Sequence, residues 1–293
     1  MSQTTNPAGA AFATGPTMTN RRPSQSAKRP LSRLAREANA VIAVAARDIT
    51  ITLKSPGMLA MGLIMPLIMM GLIGGNLMQN MAGGLGFGLG QFMLVGMLVT
   101  MLFMLTTMGM VTLVDDSDGN YSAELLVSPV SRYAIVTGKI AGSAFTGLVS
   151  CLGVLAVGLV MGITLAPWQL LVLLILAPLF CLSGGALAMI VMGLIKNNKT
   201  ANMAVMLLTM PQMFLAGAII PVNQSTGILW LASRLMPMTY CVDLGRAVVY
   251  AGSPEYDSVV MFNPAVNLAC LIGLTLVCLV VGTVLYARSE KNR

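Results

Sequence analysis

The sequence predicts an all-α polytopic membrane protein with six transmembrane helices and both termini in the cytoplasm. Of its 293 residues, 56% are hydrophobic and only 9% are charged, which leaves more apolar surface than a water-soluble domain can cover with polar groups. Four stretches contain no charged residue, namely 55–114, 140–195, 200–233 and 258–287. A charge at the centre of a bilayer costs ~2.5 kcal/mol or more, so these stretches are predicted to lie in lipid.

The N-terminal residues 1–36 differ from the rest of the chain. They are rich in Ser, Thr, Asn, Pro and Arg, and they contain no apolar run as long as the central region of a signal peptide. A segment of this composition cannot bury enough apolar surface to offset the entropy lost on folding. We therefore predict that residues 1–36 form a disordered cytoplasmic tail.

The lengths of the uncharged stretches give the number of spans. One spanning helix needs ~20 residues, whereas the first two stretches contain 60 and 56 residues, so each must hold two helices. A Gly- and Asn-rich cluster over 74–90 breaks the first stretch, and Thr164 to Pro167 break the second. The last two stretches hold one helix each. The six predicted spans cover about 58–77, 91–114, 140–163, 168–194, 201–220 and 267–287.

The basic residues set the predicted orientation. With the N-terminus inside, fifteen of the 17 Lys and Arg residues fall in cytoplasmic segments, and only Arg234 and Arg246 fall outside. Because loops rich in Lys and Arg stay on the cytoplasmic side, both termini are predicted there. The same charges predict attraction to anionic lipid headgroups, and without an accompanying aromatic surface they do not predict nucleic-acid binding.

Several kinds of chemistry are missing from the sequence. The chain has no histidine, and the predicted spans contain no Asp, Glu, Lys or Arg, so we predict no catalytic residues, no metal site and no proton relay. The phosphate-binding pattern GxxxxGK[ST] is also missing, because Gly138 and Lys139 are followed by Ile140. The chain is therefore not expected to be an enzyme or to bind a nucleotide itself.

The predicted inner loop between spans two and three has a distinctive sequence. It reads DDSDGNYSAELLVSPVSRYAIVTGK over 115–139. Asp118 or Asn120 can cap a short helix that ends at Val127, because Ser128 and Pro129 stop it. Apolar side chains on such a loop need cover, either from a cytoplasmic protein or from the lipid headgroups. Residue pattern alone leaves both interpretations open.

This loop resembles the ELL-x-SPVSR-x5-GK segment of the type-2 ATP-binding-cassette exporter permeases, the family of daunorubicin-resistance-type drug exporters and polysaccharide exporters. Residues 214–250 are similar to the end of span five and the outer segment of that family, with its Pro-x-Thr-Tyr motif at Pro237, Thr239 and Tyr240. The resemblance covers about 36–293. It implies one six-span permease domain over 37–293, with an amphipathic helix at the inner interface over about 37–56.

The resemblance also implies partners. The short inner-loop helix would be a coupling helix seated in a groove of a separate ATPase, and two permease subunits would assemble with two ATPase subunits in a bacterial plasma membrane. ATP and magnesium would be bound by the ATPase, with no cofactor on this chain. The coupling residues implied are Tyr121, Glu124, Leu125, Leu126, Val127 and Pro129. An outer segment that re-enters the membrane is implied around Pro221, Pro237, Thr239 and Tyr240.

Of the 25 methionines, thirteen recur at helical spacing on predicted spans one, two and five. They can replace leucine in helix packing, or form a soft apolar wall that accepts varied cargo, or offer thioethers to Cu(I). In the resembled family these three spans border the path between protomers. The candidate path residues are Met65, Met97, Met101, Met104, Met206 and Met210.

Asp243 and Arg246 are the two oppositely charged residues three positions apart in the predicted outer segment. At this spacing they can pair on one helix face. We expect a solvated surface pair worth under ~1 kcal/mol, with a gating role as the alternative.

The sequence as a whole favours the membrane subunit of an ATP-driven exporter that moves an amphipathic drug, lipid or glycolipid outward, together with an identical or homologous second permease. Two alternatives stay open. One is a membrane scaffold or regulatory subunit that transports nothing. The other is a secondary carrier, which the missing membrane carboxylates disfavour.

Overall fold

The computed structural model describes residues 33–57, 60, 64, 67–81, 88–118, 132–195, 197–219 and 226–291. Across these residues every regular element is a helix, which confirms the predicted all-α class. A π-helical turn over Met69–Gly74 precedes the second α-helix. The α-helices are α1 Arg33–Lys54, α2 Gly75–Met81, α3 Leu89–Asp118, α4 Arg132–Val160, α5 Pro167–Leu194, α6 Asn198–Leu215, α7 Ile228–Leu235, α8 Pro237–Val249, α9 Tyr256–Val259 and α10 Pro264–Lys291.

Four helical segments within the described part of the chain are long and apolar enough to cross a membrane. They are Leu89–Thr112, Ala134–Val160, Pro167–Leu194 and Tyr256–Leu285, the last of which joins α9 to α10 across the non-helical residues 260–263. They correspond to predicted spans two, three, four and six. Predicted span five coincides with α6, which has 18 residues and includes Lys199, and predicted span one is described only in part. The six-span count therefore stays a prediction, as does the placement of α1 at the membrane interface.

The break between predicted spans three and four lies where the sequence placed it. Gly162 has a φ of 76°, a conformation that glycine adopts without a steric penalty, and the amide of Ile163 donates to the carbonyl of Gly158 at 2.8 Å. Helix α5 then begins at Pro167, whose missing N–H costs nothing in a first turn. The turn is thus made by glycine and proline chemistry that is visible in the sequence.

Helix α4 begins at Arg132, eight residues before the predicted start of span three at residue 140. The last charged residue before the span marks where lipid can begin, but a helix satisfies its own backbone hydrogen bonds and can continue past that point. The extra turns carry Lys139, which is buried against α1.

Helix α3 lies at the centre of the bundle, where it packs on α4, α5, α6 and α8. Phe92, Met97 and Phe103 on this helix are fully buried. Two glycines permit the close packing, because a Cβ on Gly96 would collide with the Ala218 carbonyl and a Cβ on Gly184 with the Phe103 carbonyl. In lipid, where there is little hydrophobic force between helices, such close backbone contact is a main source of association energy.

The predicted topology can be checked by labelling single cysteines in a background without the five native ones. A thiol reagent that cannot cross the membrane is expected to modify a cysteine at Gln224 and to spare cysteines at Asn197 and Asn292, because the basic residues place the last two inside. After the membrane is permeabilised all three sites should react. Labelling at Asn197 or Asn292 in intact cells, with Gln224 protected, would overturn the topology.

Candidate functional site

The predicted coupling residues belong to the inner loop between α3, which ends at Asp118, and α4, which begins at Arg132. Tyr121, Glu124, Leu125, Leu126, Val127 and Pro129 all lie outside the described residues, as do Met65 and Pro221. Their roles stay predictions that rest on the sequence.

The predicted motif at Pro237, Thr239 and Tyr240 forms the junction between α7 and α8. Pro237 occupies the first turn of α8. The Thr239 hydroxyl donates to the carbonyl of Ser233 at 2.5 Å, and the Tyr240 hydroxyl donates to the carbonyl of Arg234 at 2.9 Å. Both acceptors belong to the last turn of α7, whose carbonyls have no partner within their own helix. The motif therefore fixes the angle between two short helices, and its re-entry into the membrane stays a prediction.

Helix α7 and helix α8 differ sharply in burial. Most apolar side chains of α7, Leu229 and Leu231 among them, are exposed, whereas α8 is buried along nearly its whole length. The Arg234 guanidinium lies 3.9 Å from the centre of the Trp230 ring and 4.8 Å from that of Phe262. These cation–π contacts hold the C-terminal end of α7 against the chain that leads into α10.

The prediction that Asp243 and Arg246 form a solvated surface pair is wrong, because both side chains have 0% exposure. The Asp243 carboxylate accepts hydrogen bonds from the amides of Met261 at 2.8 Å and Phe262 at 3.0 Å, and from the Asn267 side chain at 2.6 Å. Burial raises the pKa of Asp243, and these three hydrogen bonds oppose that rise. Asp243 therefore anchors the segment that enters α10.

The Arg246 side chain contacts α3 and the residues that follow α6. Its guanidinium donates to the carbonyl of Gly217 at 2.5 Å and lies 3.4 Å from the centre of the Phe92 ring. Gly217, with a φ of 70°, ends α6, and carbonyls at a helix C-terminus carry partial negative charge. Burial lowers the pKa of Arg246 to about 9, against the effect of the Asp243 carboxylate, so the guanidinium stays charged at neutral pH.

Two further contacts tie the end of α8 to neighbouring helices. The Tyr250 hydroxyl donates to the carbonyl of Gly88 at 3.1 Å, and the Gln169 side chain donates to the carbonyl of Val249 at 2.8 Å. Together with Asp243 and Arg246, these residues form what we name the outer polar cluster, after the side of the membrane that the sequence predicts for it. Through this cluster α8 contacts α3, α5, α6 and α10. The sequence signal for it was two charges inside the otherwise apolar run CVDLGRAVV.

The candidate path methionines divide into two groups. Met97 on α3 is fully buried in the core of the protomer, and Met101 and Met104 are half-buried. On α6, by contrast, Met206 is 49% and Met210 is 42% exposed. Helical spacing predicted that each group shares a face but not what that face contacts. Met97 packs between helices, and among the candidate path methionines that the structure describes, Met206 and Met210 are the ones most open to a ligand or to another subunit.

Comparison with known proteins places these features in a family. The ABC-2 type transporter family matches residues 39–250 of the chain, a range that includes the loop between α3 and α4 and helix α8. The chain is also 30% identical over 133 residues to Nodulation protein J of Rhizobium meliloti (strain 1021). That match covers 44% of this chain and 49% of the relative, so the chain spans about half the length of the curated relative it matches.

Proposed function

Because the chain belongs to the ABC-2 type transporter family, we propose that it is the membrane-spanning permease subunit of an ATP-driven exporter that moves an amphipathic drug, lipid or glycolipid outward. The observation that carries the proposal is the family match over 39–250, together with four apolar helices long enough to cross a membrane. A chain built from such helices supplies a route through lipid, and the energy must come from a partner.

The partner we propose is a separate ATPase, present in two copies and holding ATP and magnesium, while a second permease completes the pathway in a bacterial plasma membrane. The inner-loop sequence ELLVSPVSR supports this arrangement because it joins two long apolar helices and carries apolar side chains that a protein groove would cover. In that position, a displacement of the loop by the ATPase would act directly on α3 and α4.

An amphipathic cargo fits the exposed face of α6. This face presents uncharged, adaptable side chains over about three turns, and Leu207 at its centre is 78% exposed. Thioether side chains adjust to ligands of different shape because they are unbranched and polarizable. The face consists of Met203, Met206, Leu207, Met210 and Phe214.

The proposal is tested by purifying the chain with the ATPase encoded beside it and reconstituting both in liposomes. A fluorescently labelled lipid and an amphipathic cationic dye serve as cargo probes. We expect transport of at least one probe that needs ATP and stops when the ATPase is inactivated. Transport driven by a proton gradient without ATP would favour a secondary carrier. A stable complex that transports neither probe nor any lipid extract would favour a scaffold.

The role of the α6 face can be tested by changing Met206 and Met210. Lysine at both positions is expected to stop transport, because a charged wall is costly to desolvate. Leucine at both positions should leave basal ATP hydrolysis unchanged and narrow the range of cargoes, since volume and polarity barely change but flexibility is lost. Met97→Leu, in the core, is the control and should not alter cargo range. A leucine variant that transports every cargo as well as the wild type does would contradict the cargo role and indicate that these methionines serve in packing.

A further inference from the structure

A buried ion pair joins helix α1 to helix α4. The Lys139 ammonium lies 3.0 Å from one carboxylate oxygen of Asp48 and 3.2 Å from the other, and the two side chains are only 6% and 10% exposed. Removing Lys139 would leave the Asp48 carboxylate buried without this cation, which is the costly way to break such a pair. The pair therefore favours one relative position of the two helices.

The surfaces around this ion pair are shaped for close contact. A Cβ on Gly142 would lie 2.6 Å from the Asp48 Cβ, and a Cβ on Gly138 would lie 2.9 Å from the Val41 carbonyl oxygen. Glycine at both positions lets α1 approach the backbone of α4, as small residues do between membrane helices. The fit extends on α1 from Val41 to Asp48.

The contact continues for one more turn toward the C-terminal end of α1. The hydroxyls of Thr52 and Thr146 hydrogen-bond to each other at 2.9 Å. Asp48 and Thr52 are four residues apart on α1, and Gly138, Gly142 and Thr146 follow at the same spacing on α4. Residues four apart lie one above the other on a helix face, so two matching stripes meet along several turns.

The position of this contact suggests its use. Helix α4 begins at Arg132, directly after the inner loop over 119–131, and α1 packs mainly on α4. The far side of α1 exposes apolar residues such as Ile42 and Leu53, so its contact with α4 determines where that side faces. Among the described residues α1 packs mainly on α4, so a displacement of the inner loop that moves α4 would also reach α1.

We propose that Asp48 and Lys139 are positioning residues that fix α1 to the first turns of α4, so that both helices move as one rigid unit during transport. The inference rests on the proposed function, because it assigns a route from the ATPase-facing loop to α1. The ion pair sets the register, and the glycine and threonine contacts exclude sliding. The pathway would then open by motion of this unit against the rest of the bundle.

The register is tested first, by a measurement that needs no transport. In a background with the native cysteines replaced, Thr52→Cys and Thr146→Cys should cross-link readily on oxidation. Adding Lys139→Met should slow cross-linking by about tenfold or more, because Asp48 is left unpaired. Exchanging the charges, with Asp48→Lys and Lys139→Asp together, should restore most of the rate, and Lys199→Met, an exposed inner lysine, should not change it. An unchanged rate in Lys139→Met would overturn the positioning role.

The rigid unit is then tested by transport with the cross-link in place. The oxidised Thr52→Cys, Thr146→Cys protein, reconstituted with its ATPase, should keep most of its ATP-driven transport. Transport lost on oxidation and regained with a reductant would show that α1 and α4 move relative to each other, and would overturn the rigid unit. A reduced protein that cross-links as expected and yet transports nothing would count against the proposed function and leave the register result standing.

Discussion

Replacing both Leu125 and Leu126 by aspartate is expected to abolish copurification of the ATPase while the permease stays in the membrane. The two leucines lie in the inner loop between α3 and α4, within the family match over 39–250. If they enter an apolar groove of the ATPase, two carboxylates there would each lose hydration without a partner, at a cost of several kcal/mol. A loss of that size corresponds to a hundredfold or larger weakening of binding.

The measurement is the amount of ATPase recovered with an affinity-tagged permease from solubilised membranes. Methionine at both positions is the matched control and should retain the ATPase, because methionine has the volume and polarity of leucine. When the two aspartates are introduced into the single-cysteine proteins used to check the topology, the labelling pattern should not change. An unchanged pattern would show that the variant keeps its fold in the membrane. Full recovery of the ATPase with the aspartate variant would refute the coupling role of this loop.

Replacing Asp243 by alanine is expected to destabilise severely the packing of α8 against the segment that enters α10. The change leaves three donors without their acceptor, the amides of Met261 and Phe262 and the side chain of Asn267. A buried donor without a partner costs ~1–3 kcal/mol, so the total loss should be about 3 kcal/mol or more. Arg246 also loses the nearby carboxylate that favours its charge.

Asp257→Ala is the matched control, since Asp257 is an exposed aspartate of the same outer segment. Its effect should be close to zero. Both variants can be compared by heating the detergent-solubilised protein and measuring the monodisperse fraction that survives. Equal thermal stability of the two variants would mean that the hydrogen bonds to Asp243 contribute little, and the outer polar cluster would lose its role as an anchor.

The parts of the fold that the sequence predicted depend on properties of single residues or of near neighbours. The cost of placing a charge in lipid depends on that residue alone, so the uncharged stretches indicated α3, α4, α5 and α10 as candidate spans. The turn at Gly162 and Pro167 follows from the local φ preferences of glycine and proline. The predicted bounds of span three did not give the start of α4 at Arg132, because a helix does not have to begin where lipid begins.

The candidate site was less predictable, because its contacts join distant parts of the chain. The spacing of Asp243 and Arg246 suggested that they pair with each other, yet their hydrogen bonds go to Met261 on one side and Gly217 on the other. Likewise, the spacing of Met97 placed it correctly on a helix face but could not show that this face is covered by neighbouring helices. The position of a residue on its own helix indicates which way its side chain points. It does not indicate which distant residue that side chain contacts.

The sequence by itself determined that this chain is a helical membrane protein. Hydropathy and the cost of placing a charge in lipid are properties of each residue alone, so they can be read without the tertiary structure. Only the tertiary structure decided which residues the charged side chains near the helix ends contact. Lys139 is predicted from sequence to be one of many basic residues on an inner segment, but it is buried against Asp48, 91 positions earlier in the chain. Such a pair depends on how helices pack, and that packing is decided by close contacts such as those of Gly138 and Gly142 with α1.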